Sequence, residues 1–220
     1  MTKQGCIFLI SLIICIYITP TTLSIESKTQ CDPENHKKTN SLKVIFYSRI
    51  VPKKNLKFAL DLVKEYADHN IILDIYGPIE DQAYWNTIST DLDKYFLNIK
   101  YCGSLQKHEI ISTISHYDLF ILPTLAENFG HVILESLMSG VPVLLSDNTP
   151  FTTKNLNGAG WSFPLENRKS FMDIIDKFYK YDNTEYFLIS QNILDFLKIY
   201  KLSNNEAKLK YINIMFNEKI

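Results

Sequence analysis

At 220 residues the chain can form one full domain with a core and an appendage, but not comfortably two. Its 46% hydrophobic and 21% charged residues exclude a disordered chain, and a formal net charge of -1 gives no electrostatic reason to expect nucleic acid or acidic membranes as partners. The four cysteines show neither CxxC nor Cys/His spacing, which argues against a disulfide scaffold and leaves no zinc motif.

The first segment, residues 1–25, is a hydrophobic leader. Cys6 to Ile18 is nearly all aliphatic, preceded by Lys3 and followed by Thr19-Pro20-Thr21-Thr22. That run suits a signal-peptide core better than a membrane span, which needs about 20 residues. Stretched from Cys6 to Ile25 it becomes an anchor weakened by Pro20. Lys28, Lys37, Lys38 and Lys43 would then outnumber Lys3 and keep the domain cytoplasmic. Three readings stay open here: a signal peptide leading to the secretory pathway, a membrane anchor through residues 6–25, and a misplaced start codon. Residues 26–41 are polar, lack periodicity and read as a linker.

From Leu42 strands and helices alternate. Lys43–Tyr47 is an apolar strand, followed by a helix over about Asn55–Ala67. Ile71–Tyr76 is a second strand and Asp81–Tyr95 a second helix. Ile99–Cys102, a helix over Lys107–His116, and the strand Asp118–Leu122 come next, then a helix over Gly130–Ser139 and a strand over Val141–Ser146. Gly158 and Gly160 serve a turn before a short strand carrying Trp161, and helical patterns return at Ser170–Tyr179, Glu185–Ile199 and Asn205–Asn217. Such alternation with doubly apolar strands predicts an α/β fold: a Rossmann-like parallel sheet with helices on both faces, spanning residues 42–220 with a helical C-terminal tail.

Ligands of such sheets bind at the carboxyl ends of the strands. Four features fall there: Arg49 and Lys54 after the first strand, Gly77-Pro78-Ile79-Glu80 after the second, Gly103-Ser104-Leu105 after the third, and Glu127 after the fourth. The stretch PTLAENFGHVILESLMSGVP, Pro123–Pro142, sets Glu127 in a loop and Glu135 within an apolar helix that Asn128-Phe129-Gly130 opens. Carboxylates are rarely left in such surroundings without partners. Free N–H groups at the helix start would form an anion site between the two acids. Carboxylate, anion site, carboxylate suits a ligand with hydroxyls at both ends and phosphate in the middle, as in a nucleotide sugar. Lys54, near a helix N-terminus, faces the wrong end of the dipole unless an anion lies between it and Arg49.

Each feature has a bland reading. Arg49 and Lys54 could be a solvated basic loop, as Lys53 is read to be, and the spacing of the acids could mean a surface Glu127 with a structural ion pair at Glu135. His131 reads as packed or exposed, and Asp91-Leu92-Asp93 as a solvated helix face rather than a metal-binding DxD. A two-carboxylate hydrolase would leave the phosphate-binding features without purpose.

The segments SRIVPKKN, DIYG, YCGSLQKHEIISTISHYDLFILPTLAENFGHVILESLMSGVPVLLSD and NGAGWSFPLEN, in that order over most of Lys43–Asn167, resemble the C-terminal, donor-binding domain of retaining GT-B glycosyltransferases of the family 4 type. The resemblance implies that Arg49 and Lys54 bind the donor diphosphate and stabilise its leaving charge. It places Glu127 at the hydroxyls of the transferred sugar, and Asn128, Phe129 and Gly130 at sugar and phosphate. Glu135 would hold the ribose, and Gly103, Ser104 and Leu105 would border the base, with Gly77 on the phosphate side. It implies no metal and no cofactor, a UDP- or GDP-sugar as donor, and a glycan or lipid as acceptor. Two departures stand out. A glycine pair after the second strand is here Gly77-Pro78, and the N-terminal Rossmann domain that carries the acceptor site is replaced by a leader. A second chain supplying that half, a non-catalytic nucleotide-sugar-binding module and a truncated fragment all stay open. An exposed stripe of Ile212, Met215 and Phe216 would speak for a missing partner.

Overall fold

The computed structural model describes residues 41–66, 69–95 and 98–217. The leader and nearly all of the linker lie outside these residues, as do the side chains of Asp91, Asp93, Ile212, Met215 and Phe216. Six strands form one parallel sheet in the order β3-β2-β1-β4-β5-β6: β1 Leu42–Tyr47, β2 Ile71–Tyr76, β3 Ile99–Tyr101, β4 Leu119–Leu122, β5 Val143–Ser146 and β6 Gly160–Phe163. Val44, Ile45 and Phe46 are consecutive and fully buried, as are all four residues of β4. Successive residues of a strand face opposite sides, so the centre of the sheet is covered on both. The Rossmann-like α/β architecture expected from the alternation is therefore present.

The helices are α1 Leu56–Lys64, α2 Gln82–Tyr95, α3 Ile110–Ile114, α4 His131–Met138, α5 Thr153–Leu156, α6 Arg168–Lys180 and α7 Asn183–Asn217. Phe58 of α1 meets Phe171 of α6 edge to face, with ring centroids 5.1 Å apart. Arg168 reinforces that contact by lying over the Phe58 ring and donating to Glu65 and to the Asp61 carbonyl. The sheet, its helices and the start of α7 form one compact unit that ends at Leu197, and from Lys198 onward α7 belongs to a second unit. Among the described residues no helix is long and apolar enough to cross a membrane.

Several elements differ from the sequence-based expectation for local reasons. β5 starts at Val143, not Val141, because Pro142 has no N–H to donate to a ladder. The third helix is only Ile110–Ile114. Ahead of it, Gln106 N–H bonds the Glu109 carboxylate while Glu109 N–H bonds the Gln106 carbonyl, both at 2.8 Å, a closed turn that delays the helix. The two tail helices are one, since Tyr200 to Asn205 contains weak helix formers but neither Pro nor Gly to stop propagation. Short α5, unforeseen, is held by a reciprocal capping box between Thr152 and Asn155.

The carboxyl edge of the sheet is stitched strand to strand beyond the ladders. Ile50 pairs with Ile79 in a parallel bridge, Ile50 N–H donates to the Pro78 carbonyl at 2.9 Å, and Gly77 N–H donates to the Gly103 carbonyl at 2.9 Å. The loops after β1 and β2 cross so closely that a Cβ on Gly77, whose φ is +139°, would lie 1.8 Å from the Ser48 carbonyl oxygen. We expect Gly77→Ala to destabilise the fold by about 3 kcal/mol or more, measured by urea unfolding, because backbone strain and a backbone clash act together.

Candidate functional site

β1 and β4 are neighbours at the centre of the sheet, but the chain leaves them in opposite directions. From β1 it turns toward β2 and β3, and from β4 toward β5 and β6. The loops at their carboxyl ends diverge, which is where an open parallel sheet forms its binding crevice. In the first loop Pro52 opens a 3-10 turn, Pro52–Lys54, and Asn55 in the left-handed region (φ 53°) closes it and starts α1. The turn leaves Lys53 exposed and directs Lys54 inward to 6% exposure.

Lys54 meets the second loop. Its Nζ donates to Glu127 Oε2 at 2.5 Å, with the two side chains only 8% and 15% exposed. The other carboxylate oxygen, Oε1, accepts from the N–H groups of Asn128 and Phe129 at 2.9 and 3.3 Å. Around this pair the main chain is fixed. The Lys53 carbonyl accepts from Thr124 Oγ1 at 3.0 Å and from Leu125 N–H at 2.8 Å. Glu127 N–H donates to the Asn148 carbonyl at 2.9 Å, and Ser146 Oγ to the Thr124 carbonyl at 2.5 Å. Burial alone would raise the Glu127 carboxyl, but the Lys54 ammonium and the N–H groups of Phe129 and Gly130 outweigh it and hold it below the usual carboxylate range.

Glu135 lies one turn into α4 and is half-buried. Burial raises its carboxyl above the usual range, and Lys107 only partly offsets this. Among the described residues no hydrogen bond reaches its carboxylate. Tyr47, at the end of β1, shares this environment: burial, then the Glu135 charge, pushes its hydroxyl up to about 12. Arg49 sits farther out, its Nη1 3.0 Å from Glu80 Oε2 with both side chains exposed. Such a surface pair contributes little to stability and leaves the guanidinium free to exchange partners. Gly103 (φ +83°) turns the chain after β3 with nothing near its missing side chain, and Ser104 beside it is exposed while Leu105 is half-buried. Phe129 is 38% exposed and stacks on His131, centroids 6.0 Å apart.

The sequence-predicted residues thus gather along one edge, with one correction. The N–H groups of Asn128 and Phe129, which precede the helix, bond Glu127 itself, and α4 starts at His131 behind its N-cap Gly130. The ion pair read as an alternative for Glu135 is found at Glu127 instead. Two further side chains adjoin the predicted residues: Glu80, at its strand end, pairs with Arg49, and Tyr47, the last residue of β1, lies in the field of Glu135, so position in the fold was the available signal for both. Among the described residues no group of three His, Cys, Asp or Glu side chains lies together as a metal site.

The low carboxyl of Glu127 fixes the sign of a pH effect. A carboxylate depressed by folding adds stability above its unfolded pKa, near 4.5, and loses it as pH falls through the folded value. We expect Lys54→Met to cost about 3 kcal/mol near neutral pH, the low end for a broken buried pair because the N–H groups still hold the carboxylate. Unfolding curves from pH 7 down to pH 3 should show wild type and variant converging in acid.

Residues 27–192 match the family described as glycosyl transferases group 1. Sulfoquinovosyl transferase SQD2 of Arabidopsis thaliana is 28% identical over 103 residues, which are 46% of this chain and 18% of that protein. Anabaena HepE, solved in complex with UDP and glucose, superposes with a TM-score of 0.66 at 18% identity, covering 79% of this chain and 48% of its own. The C-terminal domain of a group 1 glycosyl transferase family protein from Francisella tularensis gives 0.62 at 17% identity, covering 72% of this chain and 85% of that one. The chain therefore spans about half the length of HepE and less of SQD2, and the structural likeness is one of fold. The family match runs through all six strands and includes Lys54, Glu127 and Glu135; the chain belongs to the glycosyl transferases group 1 family.

Proposed function

We propose that this chain is the donor-binding, C-terminal-type half of a retaining GT-B glycosyltransferase of family 4 type. It would transfer a hexose-type sugar from a UDP- or GDP-sugar to a glycan or lipid acceptor, without a metal. The observation that carries this reading is the convergence of Lys54, Glu127 and the start of α4 where the loops after β1 and β4 diverge, with Glu135 farther along the same helix. A diphosphate there would meet a buried ammonium, the exposed Arg49 and the positive end of α4. These groups supply charge stabilisation for a leaving nucleoside diphosphate, the role a metal plays elsewhere. Glu127 is held ionised beside the place where a sugar bound to that diphosphate would sit, which suits it to accept bonds from sugar hydroxyls. Glu135, whose carboxylate accepts no hydrogen bond from the described residues, would receive the two ribose hydroxyls. Asn128, Phe129 and Gly130 line the sugar and phosphate path, and Gly77, Gly103, Ser104 and Leu105 border the base.

HepE was solved with UDP and glucose, and a nucleotide sugar is the donor class that this site would take. The chain covers about half of HepE, and the acceptor side is assigned to a second Rossmann-like half. That coverage also motivates the second reading, a nucleotide-sugar-binding module without turnover of its own. Measuring transfer with and without a candidate partner separates the two.

Calorimetric titration of the whole chain with UDP-, GDP- and ADP-sugars tests the donor assignment. We expect one class to bind between about 1 µM and 1 mM, and Glu135→Ala to weaken it about tenfold, the scale of a hydrogen bond to a charged group. Because burial raises the Glu135 carboxyl, nucleotide affinity should fall with acidification earlier than an ordinary carboxylate would dictate, and Glu135→Gln should flatten that profile. Binding of no nucleotide sugar would sink the assignment.

A further inference from the structure

Three of the donors that an incoming phosphate would use are already converged on a single group of the chain. Lys54 Nζ binds Oε2 of Glu127, and the N–H groups of Asn128 and Phe129 bind Oε1, so one carboxylate takes the ammonium and two backbone donors at once. A backbone N–H has one hydrogen, so the two that hold Glu127 cannot also bind a second anion, and the Lys54 ammonium, though it has three, has one charge to share between two anions. The backbone cannot yield to make room. Glu127 N–H is tied to the Asn148 carbonyl, and Thr124 and Leu125 are tied to Lys53. What can move is the Glu127 side chain, through rotation about its own bonds.

We infer that Glu127 is an internal surrogate for the donor phosphate, and that binding exchanges one anion for the other. This rests on the donor-site reading above. A diphosphate entering the site takes Lys54 and the N–H groups and displaces the Glu127 carboxylate, which is 85% shielded from water and can only accept hydrogen bonds. A displaced, half-desolvated carboxylate without donors is costly. The hydroxyls of a sugar attached to the phosphate supply those donors, and a bare nucleoside diphosphate does not. The exchange therefore favours the sugar-bearing nucleotide over the nucleoside diphosphate that remains after transfer. Once the sugar has left, Glu127 loses its new partners, returns to Lys54 and the N–H groups, and drives the diphosphate out. The residue becomes a determinant of product release as well as a sugar contact.

Titration of the full chain and of Glu127→Gln with inorganic pyrophosphate, UDP, GDP and the best-binding nucleotide sugar tests the exchange. The glutamine keeps the volume and an oxygen for the N–H groups but removes the competing charge. We expect it to bind pyrophosphate and the nucleoside diphosphate about tenfold more tightly than wild type, equivalent to about 1.4 kcal/mol, and to lose the preference for the sugar-bearing form. Unchanged or weaker diphosphate binding in the variant, with nucleotide sugars still bound by wild type, overturns the exchange and leaves the donor reading intact. Failure of both proteins to bind any nucleotide sugar overturns both. Should the variant not fold, amide NMR of wild type carries the test. Pyrophosphate must shift the Asn128 and Phe129 N–H signals and the Lys54 ammonium together, and silence at these three sites overturns the proposal.

Discussion

The ion pair between Lys54 and Glu127 joins two loops that the topology drives apart. Beyond the short β1–β4 ladder at Val44–Leu119 and Ile45–Phe120 the two connections part, and no ladder joins the loops where the candidate site lies. Burying both charges has a large desolvation cost, and their attraction alone roughly balances it. Here the remaining carboxylate oxygen is satisfied by backbone N–H groups, which shifts the balance toward the pair. The result is specificity of geometry more than stability: the turn Pro52–Lys54, the β4–α4 loop and the start of the β5–α5 loop form one continuous rim.

That rim makes two glutamates on one short stretch chemically different. Glu127 is surrounded by donors and held ionised. Glu135, one turn into α4, shares its surroundings with Tyr47, has its burial only partly offset by Lys107 and takes up a proton more readily than usual. Their difference comes entirely from what the fold places around them, not from the sequence spacing that first draws attention to both. Under the donor-site proposal, these two environments would suit opposite ends of one extended, hydroxyl-rich ligand.

Much of the architecture was readable because its causes are local. Runs such as KVIFY, IILDIY and DLFIL have the length and apolar, β-branched and aromatic content of strands, and strand–helix alternation points to a parallel sheet. The boundaries missed depend on single chemical details: the absent N–H of Pro142, the closed turn between Gln106 and Glu109, the capping box at Thr152. In the candidate site, membership was legible, since a strand's carboxyl end can be recognised in sequence. Partnership was not. Lys54 and Glu127 lie far apart in the chain, and no spacing rule says that this lysine would face that glutamate, or that Arg49 would turn to Glu80. Nor could the sequence reveal that Glu127 takes the N–H groups of Asn128 and Phe129, because that follows from one side-chain rotamer.

The crossing of Gly77 over Ser48 has a consequence for how this chain can change over time. A core clash between side chains can be relieved by trimming the neighbour, so second-site suppressors are common there. At Gly77 the obstacle to any side chain is a carbonyl oxygen of the main chain, which every amino acid possesses. No substitution at position 48 can remove it. Compensation would require the loops to separate, and that would undo the Ile50–Ile79 bridge and the hydrogen bond to Gly103 together. One side of the candidate site is thus closed to gradual remodelling.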